Sequence, residues 1–394
     1  MIIQPKIRGF ICTTAHPTGC RENVNQQINY VKSQGTVAGP KNVLIIGAST
    51  GYGLASRIVA AFGYGAKTIG VFYERPSEDH KTASPGFYNS AAFHEFADAE
   101  GLYAKSINGD AFSNEVKKKT VDLIKEDLGK IDLIIYSLAS PRRKHPITQQ
   151  VFSSTLKPIG EPFHGKTIDA FRGEIKDIQI EPAAPSEITD TIAVMGGEDW
   201  EMWIACLSKE NLLAKGVKTV AYSYLGPELT HAIYKEGTIG RAKEHLKITA
   251  DNLTQKLHAL EGEAIVSVDK AVVTQASAAI PVVPLYISIL FKIMKEKGLH
   301  EGCIEQIYRL FTQYLYAKSP KSRDEEGYIR IDDLEMRDDV QAEVKKIWPE
   351  ITSENVNDLS DVKGYCDEFY RLFGFNIAGV DYEKDVNISV GEPF

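Results

Sequence analysis

Between Lys41 and Gly47 the chain reads KNVLIIG, whose Val43 to Ile46 form an apolar run of β-branched and leucine side chains with no alternating polar position. That pattern predicts a parallel strand buried on both faces. After the turn ASTGYG, apolar residues recur at Leu54, Ala55, Ile58, Val59 and Phe62. This is helical spacing, and Gly63 and Gly65 punctuate its end. A second strand is expected over Lys67 to Phe72, then a strand over Tyr103 to Ile107, a helix over Asn114 to Leu128 and a strand over Ile131 to Ser137. Strand and helix in alternation imply an α/β protein with a doubly wound parallel sheet.

The alternation breaks between about Arg142 and Glu187, where Pro, Gly and short segments such as TLKPIG and IKDIQI replace helical periodicity. A small β-containing insertion is expected there. Helical patterning returns over Ile188 to Met195 and Trp200 to Ala214, and strand patterning over Val217 to Ser223 and Ala264 to Val268. From about Lys295 the chain reads as amphipathic helix, with a polar hairpin candidate at Glu326 to Ile331. The organisation expected is one large α/β domain over 1–394. It has a core over about 41–290, the insertion at about 142–187 and additional C-terminal helices over about 295–394.

The turn between the first strand and helix, GASTGYG, holds Gly47, Gly51 and Gly53. Glycine lets backbone approach a phosphate, and the helix N-terminus that follows supplies oriented N–H donors, to which Ser49 and Thr50 add hydroxyls. In this strand-to-helix context the turn is a dinucleotide-binding signal, and the sheet is expected to be of the Rossmann type. Glu74, after the second strand, occupies the place of the acidic residue that bonds the adenosine ribose and repels a 2'-phosphate, which favours NADH. Arg75 beside it is the feature that would suit NADPH. Asp110 and Ala111, and Leu138 and Ala139, stand at later strand ends facing the same crevice.

Composition narrows the function classes. With 43% hydrophobic and 25% charged residues the chain is of globular type, and a net charge of -8 disfavours nucleic acid as a partner. No membrane span is expected, because the best apolar stretch, Ala276 to Phe291, is short and carries two prolines, so it reads as a buried segment. The N-terminus lacks the apolar region of a signal peptide, and five scattered cysteines suit reduced thiols, so a cytoplasmic protein is expected. Cys12, His16 and Cys20 have no second ligand pair at zinc-site spacing, and no metal is expected.

Tyr234 and Lys243 form Y-x8-K within AIYKEGTIGRAKEHL, after the strand KTVAYSY. A phenol can donate to an oxygen that gains charge during reduction, and a nearby ammonium can lower its pKa and hold a nicotinamide ribose. Together with VLIIGASTGYGLASR, YSLASPRR, IRGFICTTAHPTGC and VTQASAAIPVVPLYISILFKIMKEKG, this text resembles, over nearly the full length, the FabV-type trans-2-enoyl-CoA/acyl-carrier-protein reductases. These are relatives of the short-chain dehydrogenase/reductase superfamily, which uses a shorter tyrosine-to-lysine spacing.

The resemblance implies NADH-dependent reduction of the C2–C3 double bond of a trans-2-enoyl thioester in fatty acid biosynthesis. Tyr234 would be the proton donor, Lys243 would orient cofactor and tyrosine, and Tyr224 would contact substrate. The cofactor contacts it implies are Gly47, Ala48, Ser49, Thr50, Gly51, Tyr52, Tyr73, Glu74, Asp110, Ala111, Leu138, Ala139, Lys243, Val272, Val273 and Thr274. It also implies a monomer and a CoA- or carrier-protein-bound substrate. Arg142, Arg143 and Lys144 are candidates for the carrier's phosphates, with a solvated edge as the alternative, and Ile280 to Phe291 is either an acyl-chain wall or a core helix. The rival functions are an alcohol or ketone dehydrogenase, for which no convincing serine partner is evident, and a non-catalytic NADH-binding sensor.

Overall fold

Val43, Leu44, Ile45 and Ile46 expose no surface at all, as a two-faced strand requires. Val43 and Ile45 enter one apolar cluster, with Leu54 and Ile58, while Leu44 and Ile46 enter another, with Trp200 and Trp203. Each such side chain contributes about 1.5 to 3 kcal/mol on burial. This is the computed structural model of the chain, which describes residues 1–8, 11–35 and 38–392. Gly9 and Phe10, inside the first resembling segment, lie outside the described residues.

The strand containing that run is β1 (Asn42–Ile46). β2 (Lys67–Phe72), β3 (Ala104–Asn108), β4 (Ile131–Tyr136), β5 (Leu213–Ser223), β6 (Glu263–Val268) and β7 (Ile329–Arg330) join it in a 7-stranded sheet. The order is β7-β6-β5-β4-β1-β2-β3 and every pair is parallel. The chain therefore winds outward in one direction from β1 and in the other from β4. Ligands of such sheets bind at the carboxyl ends of the strands where the order reverses.

Helices cover both faces. α1 (Pro17–Ser33), α2 (Gly51–Ile58) and α3 (Pro85–Ala99) lie on one side, and α4 (Asn114–Asp127), α6 (Glu198–Lys209) and α7 (Thr238–Leu257) on the other. Helix α5 (Pro185–Met195) packs on α7. Ser113 caps α4, its Oγ accepting the Val116 amide at 3.1 Å. A third apolar cluster is built around α8 (Val283–Glu296) and the helices Asp338–Glu350 and Val362–Arg371.

Between Arg142 and Glu187 the chain forms two antiparallel hairpins, Arg142–Lys144 with Val151–Ser153 and Phe163–Asp169 with Glu174–Ile180. Two sequence readings are corrected. The helix expected to reach Ala214 ends at Lys209, because Asn211 turns into the left-handed region at φ 56° and Leu213 already belongs to β5. Glu326 to Ile331 forms no hairpin; Ile329–Arg330 is β7, parallel to Ser267–Val268. Helices α1 and α3 carried no expectation, since α1 is rich in Asn and Gln and α3 is apolar on most of its circumference.

Candidate active site

The turn after β1 approaches the backbone after β4 too closely for side chains. Gly47 has φ 91°, and a Cβ there would stand 1.9 Å from the Ser137 carbonyl oxygen; a Cβ at Gly53 would stand 1.9 Å from the Gly47 oxygen. Helix α2 then begins at Gly51 with Thr50 as its N-cap and no side-chain hydrogen bond to the cap. Its first-turn N–H groups are left to a ligand in the cleft, the arrangement that binds a pyrophosphate.

A cleft of about 1080 Å³ opens there, lined by Gly47, Ser49, Thr50, Gly51 and Tyr52. Ala48 differs from the expectation: it is buried, and the cleft is lined by its neighbours. Tyr73, Glu74, Asp110, Ala111, Leu138 and Ala139 line the same cleft from the ends of β2, β3 and β4. Val272, Val273 and Thr274 line it beyond β6.

The Glu74 carboxylate accepts Ser49 Oγ at 2.7 Å, and its backbone exchanges two 2.8 Å bonds with the Asn108 side chain. Burial raises its pKa, opposed by the hydroxyls of Ser84 and Ser49. An acidic group held this firmly beside a phosphate-binding turn fits an adenosine ribose with free hydroxyls. The open helix end and the glycine cradle fit the pyrophosphate.

At the other end of the cleft, Tyr224 follows β5 directly and Tyr234 stands in the turn that precedes α7. The Tyr234 backbone carbonyl oxygen accepts the Gly240 amide at 2.9 Å, and a Cβ on Gly240 would collide with the Lys235 carbonyl oxygen at 1.7 Å. The turn is thus folded back onto the first turn of α7, and Lys243 follows on the helix. This explains how a long tyrosine-to-lysine spacing still delivers both side chains to one cleft. The rings of Tyr224 and Tyr234 meet edge to face, with centroids 5.0 Å apart at 75°.

The Lys243 ammonium donates to the Tyr222 carbonyl oxygen at 3.0 Å, and no hydrogen bond joins it to Tyr234 among the described residues. Burial lowers Lys243 to about 8, partly opposed by Asp269. Burial also raises the phenol of Tyr234 above its ordinary value. The expectation that Lys243 lowers the Tyr234 pKa is therefore corrected: desolvation dominates, and the phenol keeps its proton. Tyr224 is raised as well, by burial first and then by the carboxylate of Glu335.

Several groups at the site were not anticipated. Asp269 and Lys270, immediately after β6, are 1% and 2% exposed and line the cleft. Asp269 accepts Ser267 Oγ at 2.7 Å, its other oxygen has no partner among the described residues, and burial drives its pKa up. Two charged residues closing the apolar strand AIVSV were the available signal. Glu335 is wholly buried and accepts the Tyr224 hydroxyl at 3.0 Å. Nothing in its acidic surroundings, IDDLEMRDD, marks it in the sequence. Ser223, at the end of β5, lines the cleft with a hydroxyl that lacks a partner among the described residues.

The basic run divides by strand alternation. Arg142 and Lys144 are exposed and line the cleft, whereas Arg143 is buried, its guanidinium held by Glu198 and the Ala193 oxygen at 2.6 Å each. Helix α8 packs in the core through Leu285, Ile289 and Leu290, and its Val283, Ile287 and Phe291, one turn apart, also line the cleft. His16 caps α1, its Nδ1 accepting the Gly19 amide at 3.1 Å, and Cys12 and Cys20 are free thiols.

Three family matches tile the chain: the NAD(P)H binding domain of trans-2-enoyl-CoA reductase over residues 2–79, the trans-2-enoyl-CoA reductase catalytic region over 81–316, and the enoyl reductase FAD binding domain over 323–386. An enoyl-[acyl-carrier-protein] reductase [NADH] of Coxiella burnetii is 63% identical, covering 100% of this chain and 98% of its own. A trans-2-enoyl-CoA reductase [NADH] of Ruminiclostridium cellulolyticum is 59% identical over 99% of this chain and 98% of its own. The crystal structure of Treponema denticola trans-2-enoyl-CoA reductase in complex with NAD superposes with a TM-score of 0.95 at 52% identity, covering 98% of both chains. That of the Clostridium acetobutulicum enzyme in complex with NADH gives 0.96 at 48%, again over 98% of both.

The third family's description names a flavin. Residues 323–386 hold the short strand β7 and the helices Asp338–Glu350, Val356–Leu359 and Val362–Arg371, with no glycine-rich strand-to-helix turn among the described residues. What the segment does bring to the site is Glu335, behind Tyr224. The NAD-type crevice, the two tyrosines and matches along nearly all of the chain agree: it belongs to the trans-2-enoyl-CoA reductase family.

Proposed function

We propose that the protein reduces the C2–C3 double bond of trans-2-enoyl thioesters with NADH, giving the saturated acyl thioester. The observation that carries this reading is the course of one cleft. It runs from the glycine turn and Glu74 to Tyr224, Tyr234 and Lys243, and along the apolar stripe Val283, Ile287 and Phe291. Bound NADH would supply a hydride to C3 of the enoyl thioester. The carbonyl oxygen then gains negative charge, and the still-protonated Tyr234 hydroxyl is the donor this chain offers it. Lys243 brings positive charge to the same region and holds the nicotinamide ribose. The α8 stripe takes the acyl chain and excludes water. Gly47 and Ser49 to Tyr52, with Tyr73 and Glu74, hold the adenosine and pyrophosphate. Asp110, Ala111, Leu138, Ala139 and Val272 to Thr274 form the remaining walls.

Arg142 and Lys144, exposed at the cleft, suit the phosphates of coenzyme A or of a carrier protein's phosphopantetheine. The working unit is taken as a monomer, acting in the cytoplasm within fatty acid synthesis. A second reading, ketone reduction, has one observation in its favour: the hydroxyl of Ser223, next to Tyr224, which lacks a partner among the described residues. Loss of NADH absorbance with crotonyl-CoA, with the same acyl group on carrier protein, and with a panel of simple ketones separates them. Turnover with the thioesters and none with ketones is expected; turnover with ketones alone would replace the enoyl reading by the dehydrogenase one.

A further inference from the structure

Glu335 belongs to the segment after β7, yet its carboxylate ties together three parts of the cleft. Oε1 accepts the Tyr224 hydroxyl at 3.0 Å and the Tyr286 hydroxyl at 2.6 Å, and Oε2 accepts the Ala271 amide at 2.7 Å. The side chain is wholly buried, and the Gln341 amide holds its backbone oxygen at 2.7 Å. A phenol has one proton, and an ionised carboxylate can only accept. While Tyr224 donates to Glu335, it has no proton left to give to a substrate oxygen. Tyr234 makes no side-chain hydrogen bond among the described residues, so its proton is uncommitted. Two tyrosines in edge contact are thus made chemically unlike by a carboxylate that touches only one of them.

We propose that Glu335 is a positioning residue that assigns the two tyrosines their parts: it takes the proton of Tyr224 and leaves Tyr234 as the donor to the thioester oxygen. Through the Ala271 amide it also fixes the start of the Val272–Thr274 wall on which the cofactor rests. Burial raises the pKa of Glu335, opposed by the charge of the buried Lys270 and by the bonds from the Tyr286 hydroxyl and the Ala271 amide, which stabilise the ionised carboxylate. The C-terminal segment would therefore act on the reaction by hydrogen bonding across the cleft wall. This inference rests on the enoyl-reductase reading.

The test combines Glu335→Gln and Tyr224→Phe, singly and together, with kcat for crotonyl-CoA and the NADH dissociation constant as separate readouts. Glu335→Gln places a donor where an acceptor stood, and kcat is expected to fall at least about tenfold, the scale of a hydrogen bond to a charged group. In the Tyr224→Phe background the same substitution should change kcat less than about twofold, because its route to the reaction is already gone. Its effect on NADH binding, which runs through Ala271, should persist there. Multiplying kcat effects in the double variant would overturn the inference. Tyr286→Phe keeps the carboxylate and its bond to Tyr224, and kcat should stay within about twofold. A fall as large as that of Glu335→Gln would assign the effect to packing and overturn the inference.

A neutron structure of the unaltered protein gives an answer independent of any variant's folding. Deuterium on the line from Tyr224 Oη to Glu335 is expected; deuterium on Tyr224 pointing into the cleft overturns the inference. Wild-type protein that leaves crotonyl-CoA unreduced, by contrast, would overturn the enoyl-reductase reading itself.

Discussion

The ammonium of Lys243 stands 3.0 Å from the carbonyl oxygen of Tyr222, the residue two before the cleft tyrosine Tyr224. The lysine is thereby anchored to the end of β5 at the wall of the cleft, where the proposed function has its positive charge meet the cofactor. Its burial gives that charge a cost and a titration.

With a folded pKa of about 8 against an ordinary 10.5, Lys243 loses its proton within the range of simple assays. NADH should bind progressively more weakly as pH rises through about 8. In Lys243→Met the affinity should be lower and its pH dependence in this range flat. Fluorescence titration of NADH from neutral to alkaline pH checks both, and an unchanged slope in the variant would remove Lys243 from cofactor binding.

The same burial predicts that the residue costs stability. The folded pKa lies below the unfolded one, so the unfolded chain binds more protons between the two values. The penalty is full below about pH 8 and is relieved as pH rises toward 10.5. Lys243→Met should therefore melt at a higher temperature than the parent at pH 7, by on the order of 1 to 3 kcal/mol of stability, while losing turnover. Calorimetry at pH 7 and pH 10 checks this: the gain should shrink at the higher pH, and a variant less stable at both would show that the lysine's packing and its bond to Tyr222 outweigh its desolvation.

Tyr234→Phe removes the uncommitted hydroxyl and leaves the ring. A fall in kcat of about 100-fold or more is expected, the lower range for a positioned acid. The NADH dissociation constant should stay within about twofold, since the proposed cofactor contacts lie elsewhere in the cleft. Single-turnover kinetics separates chemistry from product release, and an unchanged chemical step would exclude Tyr234 from it.

Glu74 lies between Ser49 and the rim of the crevice, with Arg75 exposed beside it. Glu74→Ser should raise kcat/KM with NADPH at least about tenfold relative to NADH, because a carboxylate facing the 2'-phosphate is gone and a guanidinium remains nearby. Paired initial rates with the two cofactors measure this, and an unmoved ratio would place the discrimination in another residue.

Much of this was legible in the chain. VLIIGASTGYG carries strand, turn and helix within eleven letters, because burial on both faces and backbone crowding each demand particular residues there. Asp269 and Lys270 left a signal that went unused, two charges closing an apolar strand, whereas Glu335 was not legible, since its importance arises from distant segments that meet only in the fold: it reaches Tyr224 across 111 residues. Strand β7 was misread because the pairing of Ile329–Arg330 with Ser267–Val268 leaves no local pattern. Arg143 read as part of a surface charge run until strand alternation turned it inward to Glu198.

The most direct measurement is the fate of deuterium from NADH carrying two deuterons at nicotinamide C4, after turnover with crotonyl-CoA in ordinary water. The account predicts butyryl-CoA with a single deuteron at C3 and a solvent hydrogen at C2, in the parent protein, and almost none of this product with Tyr234→Phe. Deuterium on a carbinol carbon, or NADH binding with no transfer to the thioester in the parent protein, would contradict it.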